Sequence, residues 1–238
     1  MRGLLYKEFY QFRIDFWIIT GLEILLCGLS ITSVVTFDPS EPQWTIIMLL
    51  ASIYTLSIML GSILCSEFFS KDEKRPWNHF AMALPQTEAG QVLAKYYAVL
   101  LVHLYVLFVC FIADTIAVVV VGDSSISAMT VAVVVFCIRM LVMVFEIPFV
   151  LRFGAQTGTT VEGTVAGILF VAIGIYLLFG DISFLLQENF WEALMEWIQS
   201  GNVVWVLAIL PYITGVFYYL SYRVSLKLYR KGVENSEQ

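Results

Sequence analysis

Five side chains in this sequence could do chemistry in a place where charge is expensive. Glu23, His103, Asp114, Arg139 and Glu146 each lie inside a long apolar run. If such a run crosses a bilayer, a charge at mid-span costs roughly 2.5 kcal/mol or more, so each needs a partner, water or a functional role. Arg139 and Glu146 are seven residues apart and share a helical face. Two helical turns between them are too many for an ideal direct contact. Counted from the inner ends of their spans, Glu23 falls between them in depth. That register allows a Glu23–Arg139–Glu146 cluster between the first and fourth spans, or across a pair of chains. Such a cluster would either fix helix packing as a buried ion pair or relay a substrate or proton, and Glu146 could instead reach the inner interface. Asp114, near the outer end of the third span, would snorkel outward or face a water-filled vestibule.

Other chemistry is excluded by what the chain lacks. There is no G-x4-G-K-[ST] loop, and none of the six lysines follows a glycine, so this chain cannot cradle a nucleotide phosphate in that way. The histidines are His79 and His103 alone, which rules out an H-E-x2-H zinc site, and no G-x-S-x-G elbow occurs. No catalytic residue, cofactor site or metal site is expected. Cys27, Cys65, Cys110 and Cys137 all lie in apolar runs without ligand spacing and read as small buried residues.

The elements that must position the charges follow from composition. The chain has 238 residues, 60% of them hydrophobic, with mean hydropathy +0.84. Repeated apolar runs at that density specify an all-α, polytopic membrane protein. Residues 1–15 come first, with no cleavage site after a short apolar core, so they do not read as a removable signal. Leu5, Phe9, Phe12 and Phe16 recur there at helical spacing among Arg2, Lys7, Gln11 and Arg13, as in a helix lying on the inner membrane surface; a charged lead-in that only sets topology fits the same pattern. Six spans follow. The first two occupy residues 16–66 (Phe16–Phe37 and Trp44–Ser66), and spans three to five occupy 96–179 (Tyr96–Val121, Ile126–Leu151 and Gly163–Phe179). The sixth is 203–222, and a charged tail fills 223–238. Between the fourth and fifth spans, Arg152–Glu162 reads as a short glycine-rich loop. Gly163 and Gly167 make a weak G-x3-G packing signal.

The basic residues orient the spans. With both termini inside, Arg2, Lys7, Arg13, Lys71, Lys74, Arg75, Lys95, Arg152, Arg223, Lys227, Arg230 and Lys231 are all cytoplasmic, Arg139 lies within a span, and the outer loops carry acids only. That assignment leaves nucleic acid without a basic surface to bind. Residues 181–202 are external. Trp191, Leu194, Met195 and Ile198 line one face there, and Glu188, Glu192 and Glu196 another. This is an amphipathic helix on the outer leaflet, serving as an anchor or as an acidic exit lip for a cationic passenger.

The longest polar interval, residues 67–95, sits between the second and third spans. Asp72, Glu73, Lys74 and Arg75 read as a charged turn closed by Pro76. Trp77, Phe80, Ala81 and Leu84 then fall on one helical face, and Pro85 ends it. An apolar ridge held outside the membrane either docks in a partner or packs on its own bundle.

Across the whole chain this arrangement resembles the permease subunits of type-2 ABC exporters. Its specific motif spans E-x3-K-D-E-K-x2-W, A-L-P and V-L-A-K-Y, here Glu67, Lys71 to Lys74, Trp77, Ala83 to Pro85 and Val92 to Tyr96. The pattern is most like the small bacterial permeases that include the phenol-soluble modulin exporters. The resemblance implies that Trp77 to Leu84 form a cytoplasmic coupling helix, flanked by Lys71 to Arg75, which docks in a groove of a separate ATPase. It implies two ATPase copies carrying ATP and magnesium, a second permease, identical or homologous, and residence in the bacterial plasma membrane. Cargo would be amphipathic or antimicrobial peptides or lipid-like molecules, moved outward. An immunity or sensing permease, and an ATP-independent channel or secondary transporter, are the rival readings.

Overall fold

A computed structural model describes residues 2–37, 43–73, 88–123, 126–179 and 202–236. They form seven α-helices: α1 (Arg2–Gln11), α2 (Arg13–Val35), α3 (Gln43–Glu73), α4 (Glu88–Val121), α5 (Met129–Phe153), α6 (Ala155–Phe179) and α7 (Asn202–Ser236). No strand occurs among the described residues. Among the described residues four segments are long and apolar enough to cross a membrane: Arg13–Val35, Trp44–Ser62, Ala89–Val121 and Met129–Phe153. The protein is an all-helical, multi-pass membrane protein.

Helix α4 is the central post, touching α1, α2, α3, α5 and α7. Helix α5 packs on α3, α4, α6 and α7. Two apolar clusters fill the bundle at different depths. One joins Phe12, Ile19, Val99, Met143 and Ile147. The other joins Leu50, Tyr54, Ile58, Cys110 and Ala117. Helices α3 and α4 come closest at Gly61, where an added Cβ would lie 2.9 Å from Val106 Cγ2.

The helix ends differ from expectation in three places. The inner loop foreseen at Arg152–Glu162 is reduced to Gly154. Helix α5 runs through Phe153, and α6 begins at Ala155. Gly154 takes φ 95°, which a residue without a Cβ adopts freely, and its N–H closes on the Val150 carbonyl at 2.9 Å. The residues foreseen as a charged turn begin inside a helix, since Asp72 and Glu73 are the last residues of α3. The charged tail from Arg223 continues α7 as far as Ser236.

At the N-terminus, α1 packs on α4 through Leu4 and Glu8, with Phe12 buried at its end, while Leu5, Phe9 and Phe16 are only half-buried. The opposite side of α1, Tyr6 and Tyr10, is exposed. The apolar stripe read from the sequence is therefore offset by one residue, and it carries a carboxylate. Glu8 pairs with Lys7 at 3.3 Å.

Candidate functional site

The two apolar clusters are separated by a polar layer. On α4 the lower cluster ends at Val102 and the upper begins at Val106, with His103 between them. The other helices repeat the pattern at the same level. Helix α2 contributes Glu23, α3 contributes Ser57 and Ser62, and α5 contributes Arg139, all of them buried. Glu23 is 1% exposed, Arg139 7% and Glu146 4%.

Arg139 organises one half of this layer. Its Nε donates to Ser62 Oγ at 2.6 Å, and its guanidinium meets Glu146 Oε2 at 3.3 Å. The direct pair corrects the expectation that two turns separate these groups too widely. The rise between them is about 10 Å, and two long side chains laid along the helix span it. Ser62 passes the network on. His103 Nδ1 donates to the Val99 carbonyl at 2.9 Å, which leaves Nε2 as an acceptor 3.3 Å from Ser62 Oγ. The Ser62 hydroxyl proton has the Ile58 carbonyl, at 3.2 Å, as a second acceptor.

Glu23 stands apart. Among the described residues its only hydrogen-bond partner is Ser57, which donates to Oε2, while Oε1 is buried with no partner there. The structure therefore brings Arg139 and Glu146 together and does not bring Glu23 to them. The three-residue cluster read from depth alone resolves into an ion pair on α5 and a separate carboxyl on α2. Depth along an axis says nothing about rotation around it.

Asp114 is anchored rather than open. It is 5% exposed and accepts from the Tyr54 hydroxyl at 3.4 Å, from Ser127 Oγ at 2.6 Å and from the Ala128 N–H at 3.0 Å. Ala128 is the N-cap residue of α5, so a carboxylate borne by α4 fixes the start of another helix and faces the positive end of its dipole. A void of about 10 Å³ lies beside Tyr54 and Ser57, at the lower limit for one water. Among the described residues no hydrogen bond joins Asp114 to Glu23.

A third polar group holds α4, α5 and α7 together. Pro148 lies inside α5 and lacks an N–H, so the Val144 carbonyl four residues back loses its helical donor. Ser221 of α7 supplies one at 2.6 Å. The Tyr96 hydroxyl lies 2.7 Å from both Ser221 Oγ and Ser225 Oγ. The consistent order is Ser225 donating to Tyr96, Tyr96 to Ser221, and Ser221 to Val144. Tyr96 closes the V-L-A-K-Y motif, but none of Ser57, Ser62, Ser221 or Ser225 stands out in the sequence. The one available signal is that Ser57 and Ser62 share the depth of the charges.

Of the anticipated docking residues, the backbone of Lys71, Asp72 and Glu73 completes α3. Lys74, Arg75, Trp77, Phe80, Ala81 and Leu84 lie outside the described residues, as do Glu188, Glu192 and Glu196.

A family model described as an ABC-2 family transporter protein matches residues 3–230. This chain belongs to that family. It is a multi-pass membrane permease of an ABC transporter. The match reaches into every described helix and contains all the residues of the polar layer, the Asp114 anchor and the Pro148 contact, so these belong to the permease fold itself. No curated protein and no solved structure matches the chain. Membership implies an ATPase partner and, typically, paired permeases. In the ABC-2 permease, α3 and α4 are the helices that bracket residues 74–87.

Proposed function

We propose that this chain is the membrane-spanning subunit of an ATP-driven exporter, with six spans and both termini in the cytoplasm of a bacterial cell. Two such permeases, identical or homologous, line the pathway. Two copies of a separate ATPase bind beneath them and carry the ATP and magnesium. The cargo is amphipathic: a peptide, an antimicrobial peptide or a lipid-like molecule. The family match over residues 3–230 carries this reading. Helices α6 and α7, 25 and 35 residues long, supply the fifth and sixth spans. The one-sided placement of Lys and Arg supports the orientation.

The coupling element is the segment around Trp77 to Leu84, between the end of α3 and the start of α4. Helix α3 is continuous from Gln43 to Glu73 and carries Ser57 and Ser62, which hold Glu23 and Arg139. Ser62 lies about 16 Å of helix rise from Glu73. Helix α4 begins at Glu88 and carries His103. Both helices leaving the docking segment therefore reach the polar layer as stiff rods. A shift of the ATPase would move Ser57, Ser62 and His103 against α2 and α5. The layer is where such a shift must exchange hydrogen bonds instead of sliding apolar surfaces.

The test is co-purification of the tagged chain from native membranes in mild detergent, with mass spectrometry of the bound proteins. A soluble nucleotide-binding subunit should co-purify, and Trp77→Ala with Phe80→Ala together should lose it. A folded wild-type chain that recovers no ATPase under any nucleotide condition overturns the reading.

A further inference from the structure

Between α5 and α7 the bundle carries a groove of about 470 Å³. That is the size of a ligand site. Its origin is local. Ser221 and Val224 are small, and Pro148 bears no N–H, so the two helices leave a recess bordered by Phe145, Phe149, Phe217 and Leu220. The polar atoms at its floor are already used, since Ser221 bonds the Val144 carbonyl and Tyr96. What remains is almost purely apolar, except at one end.

That end is Arg152, in the last turn of α5. Its guanidinium lies over the Phe153 ring, 5.0 Å from the centroid, and among the described residues no carboxylate pairs with it. Arg223 of α7 is likewise stacked on an aromatic ring, Tyr219 at 6.0 Å, and has no acidic partner among the described residues. Arg223 and Lys227 make this the basic part of α7. From Val144 to Arg152 the groove follows about 12 Å of helix rise. One leaflet of a hydrocarbon core about 30 Å thick is about 15 Å deep.

We propose that this groove is a binding site for an anionic phospholipid of the leaflet on the basic side. One acyl chain would lie along Phe145, Phe149 and Val224, with the phosphate on Arg152. An apolar slot nearly one leaflet deep, with an unpaired cation at the interfacial end, complements a charged headgroup and its chain together. It does not complement a free anion, which would leave the slot empty. A zwitterionic lipid such as phosphatidylcholine would bring its own ammonium beside its phosphate and offer Arg152 no net counter-charge.

Native mass spectrometry of the full-length chain, offered equal amounts of phosphatidylglycerol and phosphatidylcholine with the same acyl chains, tests this directly. The expected result is a preference of about fivefold or more for phosphatidylglycerol, the scale set by one basic residue at the surface. Arg152→Gln should abolish the preference, and Val224→Trp, which fills the slot, should reduce the retention of both lipids. Equal retention by the unaltered chain overturns the proposal without reference to any variant. So does full displacement of phosphatidylglycerol by glycerol 3-phosphate, which would make Arg152 a simple phosphate contact. Efficient Val224→Cys cross-linking between two copies in membranes would assign the groove to a second permease and also overturn it.

Discussion

Asp114 and Glu23 are both carboxylates buried in apolar helices, and they are held in opposite ways. Asp114 has three donors, from Tyr54, Ser127 and the Ala128 backbone, and it caps α5. Glu23 has one donor, Ser57, and an oxygen with none. Leaving a buried acceptor unsatisfied costs about 1–3 kcal/mol, and more when it is charged. The end of the bundle that holds Asp114 is thus built as an anchor. The middle contains a carboxyl that packing alone does not account for. The same contrast holds within the layer, where Arg139 is bonded to both Ser62 and Glu146. A permease that must change shape needs both kinds of region. The anchor keeps two helices in register, and the layer offers bonds that can be exchanged.

Substitutions sharpen or break this contrast. The largest effect is expected from Arg139→Leu, which strips Glu146 of its cation; the loss should be about 3–5 kcal/mol. Thermal unfolding in detergent would show it, and the Arg139→Leu, Glu146→Leu double variant should recover part of it. Asp114→Ala should cost about 2–3 kcal/mol by the same assay, because it removes a charged acceptor and a helix cap together. Gly61→Ala should cost about 1–2 kcal/mol through the clash with Val106, and Val106→Ala in the same chain should relieve it. Glu23→Gln is the smallest and most diagnostic change. It keeps an acceptor for Ser57 and removes an ionisable group from an apolar setting, so stability should hold or rise by up to about 1 kcal/mol. If Glu23→Gln destabilised as much as Asp114→Ala, the distinction between anchor and layer would fail.

Much of the fold was legible because spans are written in long apolar runs, and the starts of α3, α5 and α7 lie within three residues of the expected span edges. Extensions of the helices beyond the apolar runs were not legible. Glu67 to Glu73 are polar enough to read as loop, yet the backbone stays helical once α3 is under way. The Arg139–Glu146 pair was half legible, as spacing placed both on one face while side-chain reach decided the contact. Ser57, Ser62 and Ser221 could not have been chosen beforehand. A serine in a span usually bonds the carbonyl a turn back, as Ser52 does with Met48, and only the neighbouring helix shows which serines do more. The offset of the α1 stripe, with Glu8 facing the bundle, was hidden for a similar reason, since a carboxylate argues against the buried face in any periodicity reading.

The proposed function has motion entering at residues 74–87 delivered through α3 to the polar layer. Its most direct test is the ATPase turnover of the permease–ATPase complex reconstituted in lipid, compared between the unaltered chain and Ser62→Ala. Recovery of the complex would be measured in the same preparations. The account predicts full assembly with permease-dependent turnover reduced several-fold, because Arg139 and His103 lose the hydroxyl that joins them to α3. Full assembly with unchanged turnover would contradict it.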